Sequence, residues 1–124
     1  SNAITYRQAG LKRTSALVMR AARVIGEEDV FEVSGERLWQ QIEDRLGDVL
    51  AAMQAAGALA GRRPEDAFQV RCDRSTMTQQ DIDNGRSLVQ VMIRPAASIE
   101  TMRIQLAIGH EGRVSLSTLG LEAA

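Results

Sequence analysis

Aromatic residues are almost absent from this chain: Phe, Trp and Tyr together make up 3% of the sequence. A binding platform for single-stranded nucleic acid needs several exposed rings, so that class of function is disfavoured. The net charge of −1 provides no overall basic surface for nucleic acid either. Because aromatic residues are so few, the core must be built from Leu, Val, Ile, Met and Ala.

Reactive thiols are equally scarce. Cys72 is the only cysteine, so the chain forms no internal disulfide and no zinc site made of cysteines. Arg71 and Arg74 lie near it in sequence, and cations activate thiols. However, Cys72 alternates with Phe68 and Val70 in an extended pattern, which favours a buried structural side chain.

Histidine and metal-binding patterns offer no better site. His110 is the only histidine and lies between Gly109 and Glu111 in a predicted turn. It has no partner at a spacing useful for catalysis or metal binding. The segment Asp81–Gly85 is similar to a calcium loop, but the glycine and glutamate positions of an EF-hand do not match. We therefore expect no enzyme activity, no metal and no cofactor.

No apolar run approaches the roughly 20 residues that a membrane-spanning helix needs, and no signal peptide is recognisable. We expect residues 1–3 to be an expression-tag scar and residues 4–10 to be an N-terminal arm. Residues 11–109 are predicted to form one folded domain. Residues 110–124 are predicted to be a C-terminal extension, with a short strand from Val114 followed by a flexible end.

Two helices are predicted in the first half of the chain. Thr14 or Ser15 is the predicted cap of a first helix that ends near Glu28. Ser34 is the predicted cap of a second helix, which Gly57 ends in a left-handed conformation. The second helix has an apolar stripe at three- and four-residue steps. The stripe consists of Leu38, Trp39, Ile42, Leu46, Val49, Leu50 and Met53. We expect its tryptophan in the core, with an interface anchor as the alternative.

Strands are predicted in the second half, where apolar and polar residues alternate. The alternating apolar residues are Phe68, Val70 and Cys72, then Val89, Val91 and Ile93, then Met102, Ile104, Leu106 and Ile108. Helices followed by strands favour an α+β fold. We predict two helices packed on one face of a small, mainly antiparallel sheet, with extended N- and C-terminal arms.

The polar segment from Thr76 to Gly85 joins two of these strands. It predicts one helical turn capped by Thr78 with Asp81 in its first turn, and Gly85 supplies a positive φ. A polar network is expected around this loop, formed by Arg71, Asp73, Arg74, Asp81, Asp83 and Arg86. Two explanations of this acidic turn stay open: its shape is required by an assembly, or by the fold alone.

One continuous block from Gly57 to Arg86, together with Glu36–Trp39 and Val89–Pro95, resembles the C-terminal domain of contractile tail sheath proteins. These subunits occur in phage tails and phage-tail-like particles. The resemblance extends from about Leu17 to about Ile108. Its most specific residues are Arg71, Cys72, Asp73, Thr76, Thr78 and Asp81 through Arg86.

The resemblance implies a structural domain that polymerises around the inner tail tube and links neighbouring subunits by strand exchange during contraction. The implied partners are other sheath subunits, in a homo-oligomer, and the inner tube protein, with no nucleic acid and no membrane. The implied location is a virion tail or phage-tail-like particle assembled in the host bacterial cytoplasm. Sheath proteins carry outer domains before this one, so we expect the chain to be an excised domain.

By the same resemblance, the linking arms correspond to Ile4–Gly10 and to the strand around Met102–Ile108. The candidate subunit-interface residues are Met102, Arg103, Ile104, Gln105 and Leu106. The polar outer face of this strand, including Thr101, suits an edge strand. The alternative function is a stand-alone accessory or capping protein of a phage-tail-like particle that uses the same fold.

Overall fold

The computed structural model describes residues 2–96 and 100–123, with side chains at 9–96 and 100–122. The helices in this part of the chain are α1 (Asn2–Glu28), α2 (Glu36–Ala55), α3 (Pro64–Ala67) and α4 (Gln79–Asp83). The strands are β1 (Phe68–Arg71), β2 (Ser87–Ile93), β3 (Glu100–Ile108) and β4 (Val114–Ala123).

All strand pairs are antiparallel, and the order of strands in the sheet is the chain order β1-β2-β3-β4. The two long helices cover one face of this sheet: α1 packs on β3, β4 and α2, while α2 also packs on β1. The predicted α+β architecture is thereby confirmed. The fully buried side chains at the centre are Val18, Ile42, Leu46, Leu50, Val89, Ile93, Ile104 and Leu106.

Helix α2 forms as its apolar stripe predicts. Leu38, Trp39, Ile42, Leu46 and Leu50 are buried, while Val49 and Met53 lie at the margin. The helix ends in a Schellman motif, because the Ala58 N–H donates to the Met53 carbonyl and the Gly57 N–H donates to the Gln54 carbonyl. Gly57 has a φ of 87°, as predicted for a residue that ends the helix.

The predicted cap of α2 is wrong. Gly35 occupies the N-cap position, and no side chain caps the first turn. The Ser34 hydroxyl instead accepts a hydrogen bond from Trp39 Nε1 at 3.0 Å. A buried indole N–H needs an acceptor, so this hydroxyl serves the core rather than the helix terminus.

The predicted start of the first helix is also wrong, because α1 begins at Asn2 and includes residues 4–10, which we predicted to be extended. Thr14 is an interior residue whose Oγ1 donates to the Gly10 carbonyl at 2.9 Å. A threonine that bonds the carbonyl four residues earlier is compatible with a helix interior, so it marked no boundary here. The linking role of residues 4–10 stays a prediction.

The C-terminal half of the sheet differs from the prediction as well. β3 is a central strand between β2 and β4, and β4 is ten residues long rather than a short strand with a loose end. The polar face of β3 therefore does not belong to an edge. The pairing shifts by one residue between Arg103 and Ile104, which leaves Leu119 as an extra residue in β4. That extra residue interrupts the alternation in β4, so its second half was not recognisable as a strand.

Candidate functional site

The longest unpaired sheet edge in the described part of the chain is the outer side of β4. None of the described strands pairs with it on that side, and the opposite edge strand β1 has only four residues. A free edge presents a row of backbone N–H and C=O groups that can pair with another chain. The outer side of β4 is therefore a candidate assembly surface.

This edge has few of the features that normally protect an edge from pairing. In the described residues of β4 the only charged side chain is Glu122, which lies 3.0 Å from the Arg103 guanidinium on β3. Leu119 and Leu121 are about half exposed. A long strand with exposed leucines and a single charge is suited to accept a partner strand.

The candidate interface strand predicted from the sequence lies inside the domain's own sheet. Met102, Ile104 and Leu106 are buried under the helices, while Arg103 and Gln105 point to the opposite face. The strand pairs with β2 along Ser87–Ile93. Its exchange with a neighbouring subunit stays a prediction.

The polar loop between β1 and β2 begins with a turn that is capped from within. The Asp73 carboxylate accepts from the Ser75 N–H at 2.8 Å, and the Thr76 Oγ1 donates to the Leu88 carbonyl at 2.6 Å. The hydrogen bonds from Ser75 hold the pKa of Asp73 below its ordinary value. The loop is thereby attached to the start of β2.

The predicted helical turn of this loop is α4, and it carries the predicted cap. Thr78 Oγ1 accepts from the Asp81 N–H at 3.1 Å, and the Asp81 carboxylate accepts from the Thr78 N–H at 2.9 Å. The bond from the Thr78 backbone lowers the pKa of Asp81, with a smaller contribution from Arg86 at 3.4 Å. Gly85 follows with a φ of 73°.

The predicted loop network divides into separate groups. One group centres on Asp73 and includes the charge of Arg71. The second is the pair of Asp81 and Arg86. The third joins Arg74 to Asp83 through Gln79, with donor–acceptor distances of 3.2 and 2.9 Å. Gln79 was absent from the prediction, although its position one turn before Asp83 is a helical pairing signal.

Cys72 is buried, and its thiol is held in the protonated form at neutral pH. Burial raises the pKa of its thiol to about 12, and the negative charges of Glu43 and Asp73 add to this effect. Glu43 on α2 also accepts the Cys72 backbone N–H at 2.8 Å. Sequence analysis missed this contact between the helix and the end of β1. A protonated, buried thiol is a poor nucleophile.

His110 lies in the β3–β4 turn, as predicted, with its Nδ1 3.1 Å from a Glu111 carboxylate oxygen. Within residues 2–96 and 100–123, no group of His, Cys, Asp and Glu side chains is arranged to hold a metal ion. No helix in these ranges is long and apolar enough to span a membrane.

The loop between α1 and α2 carries exposed apolar side chains that sequence analysis did not single out. Phe31 and Val33 are 73% and 83% exposed, and Val30 is partly exposed beside them. Phe31 adopts a φ of 65°, which is unusual for a bulky residue. Its N–H donates to the carbonyl of His110, and the two rings lie 6.2 Å apart. The β3–β4 turn thus holds an exposed apolar loop in place.

No known protein family and no curated protein matches this chain. Among solved structures, the chain is similar to part of one chain in the cryo-EM structure of the anti-feeding prophage (AFP) baseplate, six-fold symmetrised. The similarity covers 63% of this chain with a TM-score of 0.59 and 29% sequence identity. This chain spans only 22% of that chain. It is thus similar in both fold and sequence to one segment of a prophage baseplate structure.

Proposed function

We propose that this chain is a structural domain of a contractile phage-tail-like particle. The observation that carries the proposal is the similarity to the AFP baseplate structure at 29% identity over 63% of the chain. The chemistry of the domain agrees with a structural role, because the one thiol is buried with a raised pKa. The proposed location is the tail of such a particle, assembled in the bacterial host.

Within the particle, the sheath is the first candidate position. The residue pattern from Arg71 to Arg86 resembles the sheath C-terminal domain, and the helical turn that this pattern predicts is present as α4. In this position the partners are other copies of the chain and the inner tube protein. The second candidate is a baseplate or accessory position, which is favoured by the baseplate origin of the similar structure.

The proposed linkage between subunits is strand addition at the outer side of β4. Moving the candidate interface strand β3 to a neighbour would break its pairing with both β2 and β4 and would expose Ile104 and Leu106, which are fully buried. Adding an incoming strand to β4 leaves the domain's own sheet and core unchanged. Backbone hydrogen bonds then supply affinity, as in other cases of β-augmentation.

Immunogold electron microscopy tests both the function and the position. Antibodies raised against this chain are applied to tail-like particles prepared from the strain that encodes it. Gold along the tail supports the sheath position, and gold confined to one end supports the baseplate or accessory position. Particles that carry no gold, with the chain detected elsewhere in the same cells, would contradict the proposed function.

A further inference from the structure

Charge is unevenly distributed along the first part of the chain. Positions 1–26 contain no acidic residue, and positions 27–36 contain no basic residue. In the structure, Lys12, Arg13, Arg20 and Arg23 are all exposed. At 3.6 residues per turn they lie within an arc of about 100° on the solvent side of α1. We name these four side chains the basic face.

The residues that follow form a second, acidic surface with apolar side chains at its centre. Val30, Phe31 and Val33 are exposed, and Glu27, Glu32 and Glu36 are exposed around them. We name residues 27–36 the acidic knob. Its other two acidic residues, Glu28 and Asp29, pair with Arg45 on α2. No described residue forms an ion pair with Glu27, Glu32 or Glu36. The same is true of the four cations of the basic face.

The acidic knob is built to hold one shape. The Phe31 N–H donates to the His110 carbonyl, and the Glu32 N–H donates to the Asp29 carbonyl at 3.0 Å. A Cβ atom placed on Gly112 would lie 3.4 Å from Val30, so the β3–β4 turn also lies directly beneath the knob. Exposed apolar side chains on a fixed backbone lose little conformational entropy when they bind.

An apolar strip runs beside the basic face on the same helix. Leu17 and Val24 are partly exposed there, and Val24 continues into a shallow groove between α1 and α2. Ala21 and Val49 line the same groove. The basic face is opposite in charge to the acidic knob, and the strip is apolar like the centre of the knob.

We infer that the acidic knob of one copy docks on the basic face of a second copy, with Phe31 and Val33 covering the strip around Leu17 and Val24. This inference rests on the proposed function, because it requires an assembly of identical chains. Glu27 lies on α1 one turn after Arg23. The apolar centre of the knob nevertheless leaves the strip of its own chain uncovered, because Leu17, Val24, Phe31 and Val33 are all exposed in the single copy. Since the two surfaces differ, each copy retains a free knob or a free basic face after docking. Such a heterologous contact extends into a ring or a filament rather than closing as a symmetric pair.

Disulfide trapping tests the docking directly. In a Cys72→Ala background, one protein carries Val33→Cys on the knob and the other carries Val24→Cys beside the basic face. We expect the mixture to form the mixed disulfide dimer in severalfold excess over the self-dimer of either variant. Val33→Cys mixed with Gln90→Cys, on the sheet face away from the helices, is the control pair. A mixed yield no higher than that control overturns the inference.

Charge dependence provides the second arm of the test. The trapped yield should fall severalfold between about 0.01 M and about 1 M NaCl, because the Debye length shortens from about 30 Å to about 3 Å. Reversal of the knob by Glu32→Arg and Glu36→Arg should abolish trapping, as should reversal of the basic face by Arg20→Glu and Arg23→Glu. Mixing the two reversed proteins should restore it, and absence of restoration between folded variants overturns the docking.

The outcomes separate the docking from the proposed function. Gold-labelled particles without trapped dimers would reject the docking while supporting the structural role. Trapped dimers that respond to charge reversal, together with unlabelled particles, would support self-docking while rejecting the particle as the site of action.

Discussion

The indole Nε1 of Trp39 lies 3.0 Å from the Oγ of Ser34, to which it donates a hydrogen bond. Both residues are buried, and the same Oγ lies 3.2 Å from the Oγ of Ser87. One hydroxyl therefore joins the loop after α1, the first turn of α2 and the start of β2. The bond to Trp39 joins residues 5 positions apart, whereas the contact with Ser87 joins residues 53 positions apart and so depends on the finished fold.

Ser34→Ala should destabilise the domain by about 1–3 kcal/mol, because it leaves the buried Trp39 N–H without its acceptor. Urea unfolding followed by tryptophan fluorescence measures the change. Ser117→Ala, at an exposed position on β4, is the control and should change stability by less than about 0.5 kcal/mol. Equal stabilities of the two variants would contradict the role of Ser34.

Two glycine substitutions should have opposite effects. A Cβ atom on Gly26 would lie 2.7 Å from the Gly112 carbonyl oxygen, so Gly26→Ala must push α1 away from the β3–β4 turn. We expect a loss of about 1–3 kcal/mol, typical of overpacking. Gly47 on α2 has no atom within 4 Å of such a Cβ. Gly47→Ala should therefore stabilise by about 0.5–1 kcal/mol. Thermal unfolding of both variants checks this, and a stabilised Gly26→Ala protein would disprove the close approach.

Cys72 should make stability depend on alkaline pH. The folded state raises its pKa to about 12, so the folded protein keeps its proton at pH values where the unfolded chain has lost it. Stability should be unaffected below about pH 8.5 and should fall as the pH rises above that value towards the folded-state pKa. Denaturant titrations from about pH 7 to about pH 10.5, which is close to the ordinary pKa values of Tyr and Lys, should show a larger loss of stability for the wild type than for Cys72→Ala. Parallel losses in both proteins would exclude this linkage.

The cap of α4 should contribute measurable stability. Thr78→Ala removes the hydroxyl that accepts the Asp81 N–H, and loss of such a cap costs about 0.5–2 kcal/mol. Because the folded state lowers the pKa of Asp81, its contribution is present at neutral pH and is lost as the pH falls through that lowered value. Hydrogen exchange at residues 79–84 measures the local effect. Gln80→Ala, exposed in the same turn, serves as control.

A lysine on the outer strand should block strand addition without unfolding the domain. Leu119 is 55% exposed, so Leu119→Lys should change the free energy of unfolding by less than about 0.5 kcal/mol. An edge lysine disfavours pairing with another chain, so fewer labelled particles should form with this variant. Gln69→Lys, exposed on the short opposite edge strand, should assemble normally. Equal incorporation of both variants would argue against β4 as the pairing edge.

Local signals account for most of what the sequence predicted correctly. The stripe of α2 and its end at Gly57 depend only on helical spacing and one backbone preference. The cap formed by Thr78 and Asp81 spans three residues, so it was equally visible. These elements needed no knowledge of distant contacts.

The errors arose where a residue's partner lies elsewhere in the chain or where a pattern is interrupted. Ser34 has the chemistry of a cap, but Trp39 and Ser87 use its hydroxyl instead. The extra residue Leu119 concealed the second half of β4, and with it the true edge of the sheet. The contact of Glu43 with the Cys72 N–H joins residues 29 positions apart, which no local pattern encodes.

The strands are arranged in chain order, and this arrangement has a kinetic consequence. β2 pairs with β3, and β3 pairs with β4, so these two hairpins require only short loop closures. By contrast, the contact between Ser15 on α1 and Met102 on β3 joins residues 87 positions apart. Contacts of large sequence separation form late because the chain must first lose the entropy of closing the loop. We therefore expect α1 to dock after the sheet has formed, so that a nascent chain presents the acidic knob in its fixed shape, which depends on the β3–β4 turn, only once folding is finished.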